Sequence, residues 1–192
     1  MRTGISVVGK SFQQARQLDY TEIAEVADYM NVQFINPFIE TISNILATMA
    51  SMTCEHGKPY LKEDGNPLGV VTGLIPMEGD AVNGSLAISF NEDTIIKISS
   101  SMLGEEVAEF DDTCKDLTGE LTNMLSGGAR KLLWEGGYSF EMATPKMLTG
   151  DAPIVHHVEG PVVVIPFDTK AGEFYIEVVI GSRLKRAEVA GA

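Results

Sequence analysis

The stretch from Phe34 to Met49 carries apolar residues at helical spacing over its whole length. An α-helix advances about 100° per residue, so these side chains cover about 140° of one helical face. Asn36-Pro37 suits an N-cap followed by the first helical position, where the missing N–H of proline costs nothing. The sequence therefore predicts a long helix that begins at Asn36-Pro37 and continues to about Met52. The apolar positions are Phe34, Ile35, Phe38, Ile39, Ile42, Ile45, Leu46 and Met49.

After this helix the pattern changes to short apolar runs that are separated by turn residues. Runs rich in β-branched residues and in alternation are typical of strands. The last two runs are separated by Asp168-Thr169-Lys170-Ala171-Gly172, which predicts a hairpin with a five-residue loop. The predicted strands are Leu68 to Ile75, Ser85 to Phe90, Tyr138 to Met142, Val162 to Phe167, and Glu173 to Ile180.

Two further helices are predicted between these strands. The second helix follows Asn91, a good N-cap residue, and ends at Gly104, which suits the position after a helix. The third ends near Gly136-Gly137. The order of helix, strands, two helices and more strands predicts an α+β fold, with long helices packed on a largely antiparallel sheet.

The predicted domain organisation is simple. Residues 1–29 are more polar than the residues after them and are interpreted as an N-terminal extension, in which Ser11 to Met30 is compatible with a helix of weak amphipathicity. Residues 30–182 are predicted to form one domain, because 192 residues are enough for a single sizeable core. Residues 183–192 are small and polar and are predicted to be a frayed tail.

The charge of the chain excludes several classes of partner. Fourteen Lys and Arg stand against 27 Asp and Glu, a formal net charge of −13. Such a surface repels phosphate backbones and anionic lipids, which argues against nucleic-acid and membrane partners. The chain shows no apolar run near the length of a membrane span and no signal-peptide core. Cys54 and Cys114 lack CxxC spacing and are interpreted as unpaired small hydrophobes, so the predicted location is the cytoplasm.

The third helix includes the segment DLTGELTNMLSGGARKLL, whose polar face is unusual. Four of its residues fall within roughly 60° of arc, namely Asp116, Glu120, Asn123 and Gly127. Such a face is either an ordinary solvated surface or a docking surface on which a carboxylate and an amide stand one turn apart. The opposite side is expected to face the core and holds Leu117, Leu121, Met124, Leu125 and Leu132.

Other familiar sites are not indicated. His156 and His157 are adjacent, so in a strand they would point to opposite faces and would not share a metal ion, and His56 has no partner at a metal-binding spacing. The sequence contains no GxSxG, P-loop, HExxH or GxGxxG motif. The sequence therefore predicts no metal site.

A glutamate three residues before an asparagine is common by chance, so Glu120 and Asn123 alone indicate little. Their chemistry nevertheless suits one task, because the carboxylate can pair with a lysine of a partner while the amide both donates to and accepts from water. Beside an anionic substrate, an amide brings no second negative charge. The pair is compatible with a helix that directs water onto a phosphoryl group held by another protein.

The series Asp116-x-x-x-Glu120-x-x-Asn123, followed later by Pro145, resembles the signature of the CheC/CheX/FliY chemotaxis phosphatases. That signature is an Asp or Ser, three residues, Glu, two residues, Asn, and then a more distant Pro. GELTNMLSGGAR resembles the core of the signature helix, and ATPKMLTG resembles the strand that carries the proline. Residues 124–144 separate Asn123 from Pro145, one residue fewer than in the signature.

Two more segments strengthen the resemblance. Asn36-Pro37-Phe38-Ile39 resembles the start of the first helix of CheX-type members, and GSLAISF before a helix that ends in SSMLG resembles their central part. The resemblance covers about residues 30–182 and implies the same CheX-like α+β fold. The N-terminal extension has no counterpart in a minimal CheX.

The resemblance implies a phosphatase that acts on the phosphoaspartate of a CheY-like response regulator. In the family, the glutamate pairs with a lysine of the regulator and the asparagine orients the attacking water, while the regulator supplies Mg²⁺ and the phosphatase binds no cofactor of its own. By position, Glu120 and Asn123 take these catalytic roles. Asp116 matches a motif position on the partner-binding surface, and Gly127 would let the regulator approach closely.

A single signature is typical of CheX, whereas CheC-type members carry two. The first helix offers only Glu40 and Asn44, whose spacing does not fit. Single-signature members imply a homodimer. The alternative function is a non-catalytic module on the same fold, which binds a response regulator or belongs to a flagellar switch. Retention of both Glu120 and Asn123 favours the enzyme.

Overall fold

The computed structural model describes residues 32–79, 82–141 and 143–183. The predicted N-terminal extension and residues 184–192 of the predicted tail lie outside the described residues. Within the described ranges, three helices and eight strands follow one another. They are α1 (Val32–Met49), β1 (Cys54–His56), β2 (Tyr60–Leu61), β3 (Val71–Met77), β4 (Asn83–Phe90), α2 (Glu92–Leu103), α3 (Asp112–Glu135), β5 (Lys146–Thr149), β6 (Val158–Glu159), β7 (Val163–Thr169) and β8 (Gly172–Arg183).

The strands form one sheet, and all of the pairings between the described strands are antiparallel. The order along the sheet is β1-β7-β8-β4-β3-β5, with β2 paired to β7 and β6 paired to β8. The two longest strands, β8 and β4, are neighbours at the centre. Helices packed on an antiparallel sheet confirm the predicted α+β class.

Strand β4 shows how the two faces of the sheet differ. Successive side chains of a strand point to opposite faces. Leu86 and Ile88 are fully buried in the main core together with residues of all three helices. Ala87, between them, packs instead with Leu74 and Ile154 in a small second cluster. The helices therefore cover one face, and the loop that follows β5 covers part of the other.

The predicted start of α1, with Pro37 at the first helical position, is wrong. The helix begins at Val32 and Pro37 lies inside it. Proline has no N–H for the carbonyl one turn earlier, so this position costs the helix a hydrogen bond. Phe34 is 1% exposed and packs against three aromatic rings, and its burial offsets that loss. The predicted end is also late, since α1 ends at Met49.

The boundaries of α2 are confirmed, but the predicted cap is not. Asn91 precedes the helix, and Gly104 ends it with φ of 72°, a left-handed conformation that favours glycine. The Asn91 side chain makes no hydrogen bond to the first turn. Its Nδ2 donates instead to the carbonyl of Glu173 at 3.4 Å, so the amide links the junction between β4 and α2 to β8.

Four of the five predicted strands are present as β3, β4, β7 and β8, with ends shifted by a few residues. The predicted strand from Tyr138 is wrong, because residues 138–141 continue from the helix end without regular structure. The Tyr138 N–H donates to the carbonyl of Leu133 at 2.9 Å, and Gly137 has φ of 91°. These contacts close the C-terminus of α3, and the segment after it makes a backbone hydrogen bond beyond β3, from the Glu141 N–H to the Glu78 carbonyl at 2.6 Å, rather than a strand pairing.

The predicted five-residue hairpin loop is also wrong. Thr169 pairs with Gly172, so only Lys170 and Ala171 form the turn between β7 and β8. The Thr169 hydroxyl accepts hydrogen bonds from the N–H groups of Ala171 and Gly172 at 3.0 and 3.2 Å. Gly172 has φ of 130°, which requires glycine. The threonine hydroxyl thus satisfies the N–H groups of the turn and stabilises a two-residue connection.

Candidate functional site

The candidate site lies on α3, whose N-terminus is firmly capped. The Asp111 carboxylate accepts hydrogen bonds from the N–H groups of Thr113 and Cys114 at 2.9 and 3.3 Å. These bonds satisfy two of the N–H groups that a helix start leaves open, and the negative charge suits the positive end of the helix dipole. The helix therefore begins one turn before Asp116 and is already regular at the predicted site.

The buried face of α3 agrees with the prediction at its centre and differs at its edges. Leu121 and Leu125 are fully buried, as predicted. Thr118 and Thr122, which were not expected in the core, are also fully buried. Their hydroxyls donate to the carbonyls of Cys114 and Thr118, one turn earlier, at 2.8 and 2.7 Å. Because both hydroxyls are satisfied within the helix, threonine is acceptable at these buried positions.

The helix is held from several sides by close contacts. Thr122 packs directly over Gly73 of β3, where an added Cβ would overlap the threonine side chain. Gly128 faces α1, and a Cβ there would lie 2.5 Å from Cγ2 of Thr41. Near its start, α3 meets α2, where the Ser99 hydroxyl lies 3.7 Å from the Cys114 sulfur. With the sheet and both other helices against it, α3 is positioned as a rigid element.

The predicted polar stripe lies on the side away from these contacts. Asp116, Glu120 and Asn123 are exposed, and Gly127 is half-buried. A Cβ added at Gly127 would meet no atom within 4 Å, so the packing of the described chain does not require glycine there. From Asp116 to Gly127 the stripe extends about 16 Å along the helix, at about 1.5 Å per residue. The structure thus brings all four predicted residues to one open surface.

Glu120 and Asn123 are also free to meet a partner. Within the described ranges, neither side chain takes part in a hydrogen bond or an ion pair. The nearest salt bridge on the helix joins Lys115 to Asp112 at 2.7 Å. The hydrogen bond with Asp112 raises the pKa of Lys115, and the charge of Asp116 adds to that effect. Lys115 therefore pairs with a carboxylate in the first turn of the helix and does not pair with Glu120.

The signature proline lies close to the same helix. Pro145 is half-buried and directly precedes β5, the strand that pairs with β3 at one end of the sheet. Two residues later, the sulfur of Met147 lies 3.6 Å from the Cβ position of Gly119. Because Gly119 adjoins Glu120, β5 brings Pro145 towards the N-terminal half of the polar stripe. The shortened spacing in the sequence therefore does not separate these elements.

The histidines differ from the prediction in geometry. His156 and His157 lie in a loop rather than a strand, and both approach the same hydroxyl. The Ser85 Oγ atom lies 2.9 Å from Nδ1 of His156 and 3.4 Å from Nδ1 of His157. Among the residues that the structure describes, no group of three or more His, Cys, Asp or Glu side chains is arranged to hold a metal ion.

The sequence reasoning missed a buried ionic cluster on the second face of the sheet. The Glu177 carboxylate is 1% exposed, accepts a hydrogen bond from Lys62 Nζ at 2.8 Å, and lies 3.3 Å from Nε2 of His156. With Ser85, these groups form a Ser-His-Glu series. Ser85 is fully buried, so a protein substrate cannot reach it. A glutamate between Ile176 and Val178 was the signal in the sequence, and the paired charges explain how it is buried.

A family model described as chemotaxis phosphatase CheX matches residues 71–168, just over half of the chain. The chain belongs to the CheX family. The matched range contains Glu120, Asn123 and Pro145 and extends from the start of β3 to Asp168 in β7. The resemblance stated from the sequence is thereby confirmed.

Individual members of the family agree with this assignment. A protein of Thermotoga maritima described as CheY-P phosphatase CheX is 27% identical over 123 residues, which are 63% of this chain and 78% of that protein. The crystal structure of a CheC-like superfamily protein from Shewanella sp. PV-4 is 45% identical, with a TM-score of 0.74 over 80% of this chain and 100% of the other. CheX from Vibrio vulnificus is 39% identical, with a TM-score of 0.71 over 77% and 99%. The predicted CheX-like fold is confirmed.

Across the described ranges, none of the helices combines the length and the hydropathy that crossing a membrane requires.

Proposed function

We propose that this chain hydrolyses the phosphoaspartyl group of a CheY-like response regulator, and that Asn123 positions the attacking water while Glu120 pairs with a lysine of the regulator. The family description supports a chemotaxis phosphatase, and the Thermotoga relative is described as a CheY-P phosphatase. The observation that carries the residue roles is the exposure of Glu120 and Asn123 on one face of α3, without partners in the described chain.

The reaction is the hydrolysis of an acyl phosphate. The oxygen of water forms a bond to phosphorus, and the bond between phosphorus and the aspartyl oxygen breaks. The aspartate leaves as a carboxylate, while both protons of the water remain with the released phosphate. The aspartyl carboxylate is a good leaving group, so the main task of a catalyst is to hold the water in line with the breaking bond.

Asn123 has the chemistry for this task. Its amide accepts a hydrogen bond from the water and donates another, which fixes the orientation of the nucleophile. It carries no charge, so it approaches the anionic phosphoryl group without repulsion. Because α3 is fixed by the sheet and the other two helices, the amide enters the site with little orientational freedom to lose.

Glu120 is expected to contribute to binding of the regulator as well as to the rate of hydrolysis. A carboxylate paired with a lysine interacts in the bound ground state and in the transition state, so it contributes to affinity as well as to turnover. Glu120 lies one turn before Asn123 and projects from the same face, so one partner surface can meet both. Asp116 and Gly127 extend this surface in both directions, and Gly127 allows a close approach.

In this proposal Mg²⁺ belongs to the regulator and neutralises charge on the phosphoryl oxygens when it is bound there. The chain contributes the water-positioning amide and the pairing carboxylate. The proposal also includes a homodimer, since single-signature members of the family imply one and a sheet with short edge strands benefits from coverage. It includes a cytoplasmic location, where such a regulator is found.

The decisive experiment measures the release of phosphate from a phosphorylated receiver domain, with and without this protein. Asn123→Ala is expected to reduce the stimulated rate by about 10²–10³, or about 3–4 kcal/mol, by analogy with the loss of one positioned donor. Asn123→Asp should be no better, because its carboxylate faces an anionic group. Glu120→Ala should weaken binding of the regulator as well as the rate.

Helix α1 offers matched controls. Asn44 and Glu40 are also exposed helical residues, but their spacing does not fit the signature. Asn44→Ala and Glu40→Ala should leave the phosphate lifetime of the receiver as wild type leaves it. If wild type and Asn123→Ala give the same lifetime while the receiver still binds, α3 is a docking face and the non-catalytic module is the correct function.

A further inference from the structure

An open cleft of about 410 Å³ lies beside the C-terminal half of α3. Trp134 forms part of its wall and is 67% exposed, whereas large aromatic side chains contribute most when they are buried. Gly127, the last residue of the polar stripe, also lines the cleft, as do Tyr138 and Phe140. The cleft is therefore continuous with the proposed docking face but separate from Asn123.

The charge of the cleft is opposite to that of the chain. Arg130 and Lys131 both line it, and none of the described residues that line it is acidic. Within the described part of the chain, neither cation forms an ion pair. In a protein of net charge −13, two unpaired cations beside an exposed indole ring fit an occupant that carries carboxylates and apolar side chains.

The N-terminal segment joins the structure at this cleft. Helix α1 begins at Val32, and the Phe34 ring packs edge-on against Tyr138 and Phe140, with centroid distances of 5.5 and 6.0 Å. Both partner rings line the cleft. The distance along α3 from Gly127 to Trp134 is about 10 Å, and a chain spans up to about 3.3 Å per residue, so a few residues before Val32 suffice to cross it.

The sequence before α1 has the complementary chemistry. Residues 19–28 read DYTEIAEVAD and contain four carboxylates and no lysine or arginine. Tyr20, Ile23 and Val26 lie between these acidic residues and supply apolar side chains. Because the segment is tethered at the wall of the cleft, its effective concentration there is in the millimolar range, well above that of a free competitor.

We propose that residues 19–28 occupy this cleft in the free protein, with carboxylates against Arg130 and Lys131 and apolar side chains against Trp134. Gly127 belongs both to the cleft and to the polar stripe, so the cleft adjoins the proposed docking face. Occupancy of the cleft does not depend on the proposed function.

Trp134 is the one tryptophan of the chain, so its fluorescence reports on the cleft alone. In the full chain we expect blue-shifted emission and protection from acrylamide quenching. Reversal of the cleft charges, Arg130→Glu with Lys131→Glu, should shift the emission to the red and raise quenching towards that of free tryptophan. Adding Glu22→Lys and Glu25→Lys to this variant should restore protection, because the two reversals complement each other.

Two controls keep this test informative. Glu105→Lys with Glu106→Lys matches the compensating Glu22→Lys and Glu25→Lys pair in kind and in charge change, at exposed residues away from the cleft, and should leave quenching unchanged. If the charge-reversed variant fails to fold by far-UV circular dichroism, the milder Arg130→Gln with Lys131→Gln replaces it and should give a smaller shift in the same direction.

Three results would overturn the proposal. Quenching of Trp134 in the wild-type chain that is as efficient as quenching of tryptophan in solution shows an open cleft. Protection that grows with protein concentration assigns the cleft to a second copy of the chain. Protection that arises only on addition of a phosphorylated receiver assigns it to the regulator. None of these readouts depends on phosphate release, so failure of the phosphatase proposal is distinguishable from failure here.

Discussion

Gly127 and Gly128 are neighbours on α3, yet their surroundings differ. A side chain at Gly128 would collide with Thr41 of α1, whereas a side chain at Gly127 would meet no atom within 4 Å. The same contrast separates Leu121, which is fully buried, from Glu120, which is exposed and unpaired within the described residues. One side of the helix is determined by the rest of the fold, and the other is left open for a partner.

The two sides of α3 are therefore expected to contribute to different properties of the protein, one to its stability and the other to its function. Substitutions on the inner side are expected to change the free energy of unfolding, and those on the outer side are expected to change the encounter with the regulator. Leu121 on the inner side adjoins Glu120 on the outer side, and Gly128 adjoins Gly127 in the same way. Matched variants at these neighbouring positions therefore compare the two sides directly.

The largest expected effect on stability is at Leu121. Leu121→Ala removes a fully buried side chain and should lower the free energy of unfolding by about 2–5 kcal/mol. Glu120→Ala should change it by less than about 0.5 kcal/mol, because the carboxylate is exposed and unpaired. Denaturant unfolding followed by circular dichroism measures both. Equal losses in the two variants would mean that the helix is rotated from the orientation described.

The next largest effects on the free energy of unfolding are expected at Gly127 and Gly128, where alanine should act in opposite directions. Gly128→Ala should destabilise the protein by about 1–2 kcal/mol, because overlap with the buried Thr41 exceeds the gain in helix propensity. Gly127→Ala should stabilise it by about 0.5–1 kcal/mol, since only the propensity changes. Thr41→Ser removes the methyl group that a Cβ at Gly128 would meet.

The combination of Gly128→Ala with Thr41→Ser is therefore expected to recover part of the lost stability, which urea unfolding of the single and double variants will show. Gly127→Ala should fold well yet bind the phosphorylated receiver more weakly, because its methyl group occupies the space left for close approach. Stabilisation by both alanines would contradict the contact between α1 and α3.

The fold was predictable where one physical signal dominated. Wide apolar stripes and β-branched runs located the three helices and four strands, because burial of apolar area decides those elements. The errors arose where a specific contact outweighed the local rule. Pro37 is accommodated inside α1 by the burial of Phe34, and Thr169 closes a shorter turn than the loop residues suggested.

The polar stripe was predictable for a different reason. Helical phase follows from residue number alone, so Glu120 and Asn123 were placed on one face without any knowledge of their surroundings. The buried threonines were not foreseen, since their hydroxyls are satisfied only once the helix exists. The cluster of Lys62, His156 and Glu177 was also missed, because it joins strands and loops that are distant in sequence.

The smallest expected effect concerns the segment before α1. Removal of residues 1–29 should lower the melting temperature by less than about 8 °C, which corresponds to a few kcal/mol for a chain of this size. The segment has few large apolar residues, so it has little area to bury against the rest of the chain. Thermal unfolding of the full and shortened chains measures this difference. A larger drop would place the segment within the core, which contradicts its interpretation as an extension.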